Sequence, residues 1–215
     1  MIKWTIIAAA GLALAAALVF ASPAWHSIKA VFYIDHMERD ERVARMKVDR
    51  IVDDLNIRPG DTVADIGAGS GLFTRKMAAK AGRTGTVYAV DINEKLLRHI
   101  EKTASGEASA KVITVKAGEM DPKIPTPVDL VFICDTLHYV DDPAAYVTVM
   151  ASSLKPGGRI AVIDFRQNHP PGSKIFTEDQ LTGWMKGVGL EPVARHDYVA
   201  DEYYVIYRSA AGRGE

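Results

Sequence analysis

The chain has 215 residues, 48% of them hydrophobic and 25% charged, the profile of a chain that folds around a core rather than staying disordered. Its 26 Lys and Arg against 27 Asp and Glu give a formal net charge of -1, which offers no global attraction to nucleic acid or anionic lipid. A single cysteine, Cys134, excludes an internal disulfide and a cysteine-rich metal centre; the six histidines lack the HxxxH and HExxH spacings that set two imidazoles on one helix face, so no metal is expected.

Residues 4–24, WTIIAAAGLALAAALVFASPA, carry no charge. As a helix they would span about 30 Å, the hydrocarbon thickness of a bilayer. Two readings stay open for residues 1–24. As a retained transmembrane anchor, with only Lys3 before the run and Lys29, Arg39, Arg42, Arg45 and Lys47 after it, the segment would leave the following domain facing the cytoplasm. As a cleaved signal peptide, for which Lys3, Ser22 and Ala24 supply the charge and the small residues, it would export the domain from the cytoplasm. Residues 25–40 form an amphiphilic connector, and the folded domain is expected over 41–215.

A helix is predicted over 41–57, because Ala44, Val48, Ile51, Val52 and Leu55 share one face. The stretch RPGD ends it. Strands at 61–66, 86–92, 111–117, 128–135 and 158–165 then alternate with helices at about 71–81, 93–104 and 141–154. Runs such as VDLVFICD are apolar throughout, as parallel strands buried on both faces are, and the βαβ alternation implies a doubly wound, mainly parallel sheet. A further helix at 177–188 leads to two strand-like runs joined by a turn at Ala200 and Asp201, which must pair antiparallel. The fold class is therefore α/β, with an antiparallel C-terminal hairpin.

Between the first strand and its helix stands Asp65-Ile66-Gly67-Ala68-Gly69-Ser70-Gly71. A dinucleotide fingerprint from Gly67 needs a glycine where Leu72 stands, and no GK[ST] follows to make a P-loop. Asp65 is expected beside the ligand: two unit charges 4 Å apart interact by about 1 kcal/mol in water and about 4 at an effective dielectric of 20, which opposes a pyrophosphate and favours a cation. Asp91 ends the next strand, where a carboxylate can accept both hydroxyls of a ribose. Taken singly, the glycines suit a tight turn and Asp91 a cap for the helix near Asn93; together they point to a phosphate-free adenosyl ligand.

At these residues the chain resembles the class I S-adenosylmethionine-dependent methyltransferases. VADIGAGSG is similar to the family's first motif and VYAVDI to its second, while PVDLVFICDTLHYVDDP and LKPGGRIAVIDF resemble the strands bordering the substrate site. The resemblance covers about residues 41–209 and implies a seven-stranded sheet with S-adenosylmethionine as cofactor. It also implies that Asp65, Gly67, Ala68, Gly69 and Gly71 hold the methionine portion, Asp91 the ribose and Ile92 the adenine. Glu119 and Met120 would flank the adenine amino edge, and Cys134 and Asp135 would end the fourth strand beside the methionine. Cys134 read by itself is a buried small hydrophobe.

Methyl transfer needs alignment and, for a hydroxyl or ammonium acceptor, a base. Asp135, His138 and Tyr139 lie just past a strand tip, with His138 the expected base and Tyr139 an aromatic wall; a helix cap and ordinary core are their structural readings. The connector would fold over the ligand as a lid through Tyr33, His36 and Arg39, or serve as a solvated linker. The acceptor class is expected to be a small molecule or a lipid-like compound, given the apolar segment. A non-catalytic scaffold that keeps the cofactor fold at the membrane is the alternative. One cysteine disfavours arsenite chemistry, DTLH replaces the tetrapeptide of DNA-amine methyltransferases, and the charge balance gives no support for nucleic acid.

Overall fold

The computed structural model describes residues 33–104, 106, 109–166 and 173–209. The uncharged run at 4–24 and the connector up to residue 32 lie outside them. Among the described residues no helix is long and apolar enough to cross a membrane.

Residues 33–38 are helical and lead into α1 (Asp40–Met46) and α2 (Val48–Asp54). The single helix predicted over 41–57 is thus broken, at Lys47, whose φ of 53° and ψ of 48° are left-handed. Such a residue costs about 1–2 kcal/mol outside glycine. The break lets Met46 and Val48, on either side of it, both become buried, while Ala44, which a straight helix would bury, stays exposed. Arg159 fastens the far end of α2: its guanidinium donates to the carbonyl oxygens of Leu55, at 3.1 and 2.7 Å, and of Asn56, at 3.1 Å. Those carbonyls have no partner within the helix.

The order continues β1 (Thr62–Ile66), α3 (Leu72–Ala81), β2 (Thr86–Asp91), α4 (Glu94–Thr103), β3 (Lys111–Lys116), β4 (Val128–Cys134), a 3₁₀ turn (Leu137–Tyr139), α5 (Pro143–Ser152), β5 (Leu154–Phe165), α6 (Glu178–Gly187), β6 (Leu190–His196) and β7 (Glu202–Ser209). Most bounds agree with the sequence pattern to within one or two residues. The exception is β5, which starts four residues before the predicted 158, because Leu154 pairs with Val128 ahead of a register shift in β4. The seven strands form one sheet in the order β3-β2-β1-β4-β5-β7-β6, with β7 antiparallel to both β5 and β6.

Strand alternation sends side chains to two cores. Ala64, Ile66, Val131, Ile133, Ile160 and Val162 pack with Val147 of α5 and Met185 of α6. Val63, Leu130, Phe132, Ala161 and Ile163 pack with Ile51 of α2 and Met77 of α3 on the other face. The chain leaves β1 toward β2 and later returns to β1's other side as β4, so the carboxyl ends of β1, β2 and β4 open at the point where the winding reverses. Ligands of open α/β sheets bind at such a crevice.

Asp65, near the end of β1, is 3% exposed and turned toward α3. Its carboxylate accepts the Thr74 hydroxyl at 2.5 Å and the Thr74 backbone N–H, and so caps a helix whose own N-cap, Gly71, has no side chain to offer. Burial pushes the Asp65 carboxyl up to about 7, with the Thr74 bonds opposing the rise and the Asp91 charge adding to it. A group raised in the folded state contributes stability that is whole below the unfolded carboxylate range, near pH 4, and is lost as pH climbs through the folded value. Asp65→Asn should therefore gain on the parent between about pH 5 and pH 8, by on the order of 2 kcal/mol in urea unfolding; a difference that does not change with pH would contradict this assignment.

Candidate active site

At the reversal of the winding lies a cavity of about 990 Å³. Of the residues singled out in the sequence, Gly67, Asp91, Ile92, Glu119, Asp135 and Tyr139 line it, joined by Tyr33 from the connector. Asp65, Ala68, Gly69, Gly71, Met120, Cys134 and His138 are not among its lining residues.

The glycine loop is held by its own backbone. The N–H groups of Gly67 and Ala68 both donate to the Val90 carbonyl, at 2.8 and 3.0 Å, and that of Gly71 donates to the Ala68 carbonyl at 2.8 Å. The Gly69 N–H donates to Asp91 Oδ2 at 3.0 Å, while Asp91 Oδ1 accepts the Asn93 N–H at 2.7 Å. Four donors that a pyrophosphate cradle would aim at its ligand are therefore spent. The expectation that Asp65 itself stands beside the ligand is corrected: it is buried, does not line the cavity, and engages Thr74 in the first turn of α3. The carboxylate beside the cavity is Asp91, whose pKa burial raises against the pull of the Asn93 and Gly69 N–H groups. Gly67, with φ +71°, cannot be exchanged, since a Cβ there would lie 2.0 Å from the Thr136 hydroxyl.

The other wall is built at the tip of β4. Asp135 has a φ of 49°, uncommon for a residue with a Cβ, and its Oδ2 accepts from Arg42 Nη2 of α1 at 2.9 Å. Its buried Oδ1 has no hydrogen-bond partner among the described residues. Burial raises the Asp135 pKa, Arg42 opposes the rise, and Asp164 adds to it. Glu202, 4% exposed at the start of β7, is pushed up to about 8 by burial and by Asp135.

His138, the base expected from the sequence, is instead fully buried, with Nδ1 2.7 Å from Asp164 Oδ1 and its ring 4.1 Å from that of Tyr139. Nor does it cap α5, since Asp142 accepts the Ala145 N–H at 3.0 Å there. Its place is behind Tyr139, which does line the cavity. Cys134 packs against the α2–α3 core and burial raises its thiol pKa, in keeping with a small apolar residue. Met120 packs against the opposite core instead of flanking a ligand beside Glu119.

The connector touches the site, though not through all three residues named for it. Tyr33 lines the cavity; His36 does not, and Arg39 pairs with Asp35 at 3.0 Å on the surface. Three residues that the pattern did not single out make the contacts. The Met37 methyl lies where a Cβ on Gly69 would meet it at 2.5 Å, Glu38 pairs with Arg75 of α3 at 2.6 Å, and Arg42 pairs with Asp135. Tyr33 and Met37 are one helical turn apart, a spacing that was available as a signal. Arg42 lies on α1, before the break at Lys47, and meets a residue 93 positions away, a contact no local sequence rule announces.

The family described as "Methyltransferase domain" matches residues 57–203. A ubiquinone/menaquinone biosynthesis C-methyltransferase UbiE of Cupriavidus metallidurans is 31% identical over 121 residues, covering 56% of this chain and 50% of that protein. The UbiE of Burkholderia cenocepacia is 35% identical over 125 residues, with the same coverage of 56% and 50%. The chain thus spans about half the length of these curated relatives. Among solved structures, an S-adenosylmethionine-dependent methyltransferase from Aquifex aeolicus superposes with a TM-score of 0.69 at 22% identity, over 81% of this chain and 96% of that one. Magnesium protoporphyrin IX methyltransferase from Synechocystis, with S-adenosylmethionine bound, gives 0.64 at 17% identity, over 89% and 94%. Those two likenesses concern the fold. With the family match running from the residues just after α2 into β7, the chain belongs to the methyltransferase domain family, within the class I S-adenosylmethionine-dependent superfamily that its motifs resemble.

Proposed function

We propose that the protein moves the methyl group of S-adenosylmethionine to a small, apolar, quinone-like acceptor. The observation that carries the cofactor half is Asp91, a carboxylate on the wall of a large cavity beside a glycine loop in which the N–H groups of Gly67, Ala68, Gly69 and Gly71 are already satisfied. The acceptor half rests on the likeness to the UbiE proteins.

The residues present fit the cofactor. An ionised carboxylate has about four lone-pair sites, and Asp91 uses two of them on Gly69 and Asn93, which leaves room for a ribose diol. Ile92, 62% exposed on the wall, offers an apolar face to adenine, and Glu119 can accept from its amino group. Asp135 and the ring of Tyr139 suit a cation at the methionine end. The bound cofactor would supply an electrophilic methyl on a sulfonium. What the chain contributes is alignment, which can account for roughly 7–11 kcal/mol of barrier lowering.

A phenolic or enolic acceptor must also lose a proton before or as its carbon attacks. Asp135 is the base this geometry favours, since it lies on the wall with one oxygen anchored by Arg42 and the other, though buried, without a hydrogen-bond partner among the described residues. The acceptor proton would pass to the Asp135 carboxylate as the methyl bond to the acceptor forms and the methyl–sulfur bond breaks, leaving the sulfur as a neutral thioether. His138 would act by backing Tyr139. The domain is placed on the cytoplasmic side, where the cofactor is made, tethered through its N-terminal segment. No feature of the site favours a non-catalytic scaffold.

Asp91→Asn should weaken S-adenosylhomocysteine binding by roughly ten- to hundredfold in calorimetry, the loss expected for hydrogen bonds to a charged group; unchanged affinity would remove Asp91 from the cofactor site. Asp135→Asn should lower turnover by roughly 10²–10⁴, more than His138→Gln does, while weakening that affinity by less than Asp91→Asn does. The assay is transfer of labelled methyl to host extracts divided into lipid, soluble and protein fractions. Label in the lipid fraction is expected, and label confined to protein would contradict the acceptor class.

A further inference from the structure

We infer that the mouth of the cavity is the face this protein sets against a lipid bilayer, so that an apolar acceptor enters sideways from the membrane. The inference rests on the methyl-transfer reading above. Its first support is where the exposed large apolar side chains lie. Among the described residues these are Tyr33, Ile92, Tyr139, Ile175 and Val193, exposed by 48, 62, 56, 81 and 50%. Tyr33, Ile92 and Tyr139 line the cavity. Ile175 follows Lys174, whose N–H donates to the His138 carbonyl at 2.7 Å, immediately before Tyr139, and whose ammonium is 3.4 Å from Asp141, another lining residue. Val193 stands apart on the edge strand β6. Ile92 and Tyr139 face the cofactor on the reading above, so the outer contact falls to Tyr33 and Ile175, two exposed apolar side chains at the same opening.

The second support is the chain that leads to this opening. Tyr33, itself on the rim, comes nine residues after Ala24, the last residue of the uncharged run at 4–24. Fully extended, those nine residues reach about 30 Å. With the run retained as an anchor, the opening cannot leave the neighbourhood of the bilayer, and a tether this short holds it there at an effective concentration in the mM range. This favours a lipid surface over a second copy of the chain. Cations and acids are interspersed on the rim: Arg98 and Lys116 each lie 3.6 Å from Glu94, Lys174 pairs with Asp141, and Lys95 and Glu119 share the same lining. With a net charge of -1 overall, the contact is apolar in kind and should respond little to salt.

The test places a nitroxide at Ile175→Cys and, as a control, at Val193→Cys in the full-length protein bound to vesicles of phosphatidylethanolamine and phosphatidylglycerol. Cys134 is half-buried against the α2–α3 core with its thiol pKa raised by burial, so the label favours the introduced residue, and the unsubstituted protein serves as the labelling control. Ile175 is exposed enough for the change to leave the fold intact, which retained S-adenosylhomocysteine binding checks. The ratio of oxygen to nickel-chelate accessibility should be several-fold higher at 175 than at 193, and should hold at high salt. Equal ratios in a protein that still binds S-adenosylhomocysteine would overturn the bilayer contact alone. Spin–spin broadening at 175 without vesicles, the mark of a second copy on the rim, would overturn it too, as would a mature chain that has lost residues 1–24. Failure of the unlabelled protein to bind S-adenosylhomocysteine would refute the methyl-transfer reading and this inference together.

Discussion

Much of the site depends on one carboxylate shared between two backbone donors. Asp91 takes the Gly69 N–H with one oxygen and the Asn93 N–H with the other, joining the glycine loop after β1 to the tip of β2. Hydrogen bonds to an ionised group contribute roughly 1.5–3 kcal/mol each, and here they also fix geometry. The loop cannot open its N–H groups outward without giving up Asp91 and the Val90 carbonyl. A turn of this composition could have cradled phosphates; as folded, it presents a carboxylate and an apolar neighbour, Ile92, to the ligand.

Asp65 works on the same constraint from below. Bonded to Thr74, it sets a carboxylate against the first turn of α3, at the cost of holding a buried acid whose pKa is lifted to about 7. Both acids therefore oppose a phosphate, one by lining the cavity and one by its place at the first turn of the helix. The connector adds a third tie: Met37 lies over Gly69, Glu38 holds Arg75, and Arg42 holds Asp135. One short helical stretch thus touches the cofactor loop and the acceptor wall, linking the order of the two halves of the site.

The pattern of apolar runs was enough to foresee the strands, the reversal of winding and the closing hairpin, because buried parallel strands and an antiparallel turn leave distinct marks in sequence. The residues at strand tips were legible as well: Gly67, Asp91, Ile92, Glu119, Asp135 and Tyr139 do meet at one cavity. What spacing could not reveal was which way a side chain turns. Asp65 and His138 stand next to lining residues in the chain, yet both are buried against partners, Thr74 and Asp164, that are distant in sequence. Arg42 was missed for a related reason. Its partner, Asp135, is 93 residues away, and the helix that carries it ends at a left-handed Lys47 between Met46 and Val48, both buried in one core.

The most direct measurement is a pair of crystal structures of the protein, one with S-adenosylhomocysteine and one soaked in ADP at the same concentration. The expected result is an adenosyl ligand with both ribose hydroxyls on Asp91, and no diphosphate in the second crystal. Density for a diphosphate bound to the N–H groups of residues 67–71, with Asp91 displaced from Gly69, would contradict the account.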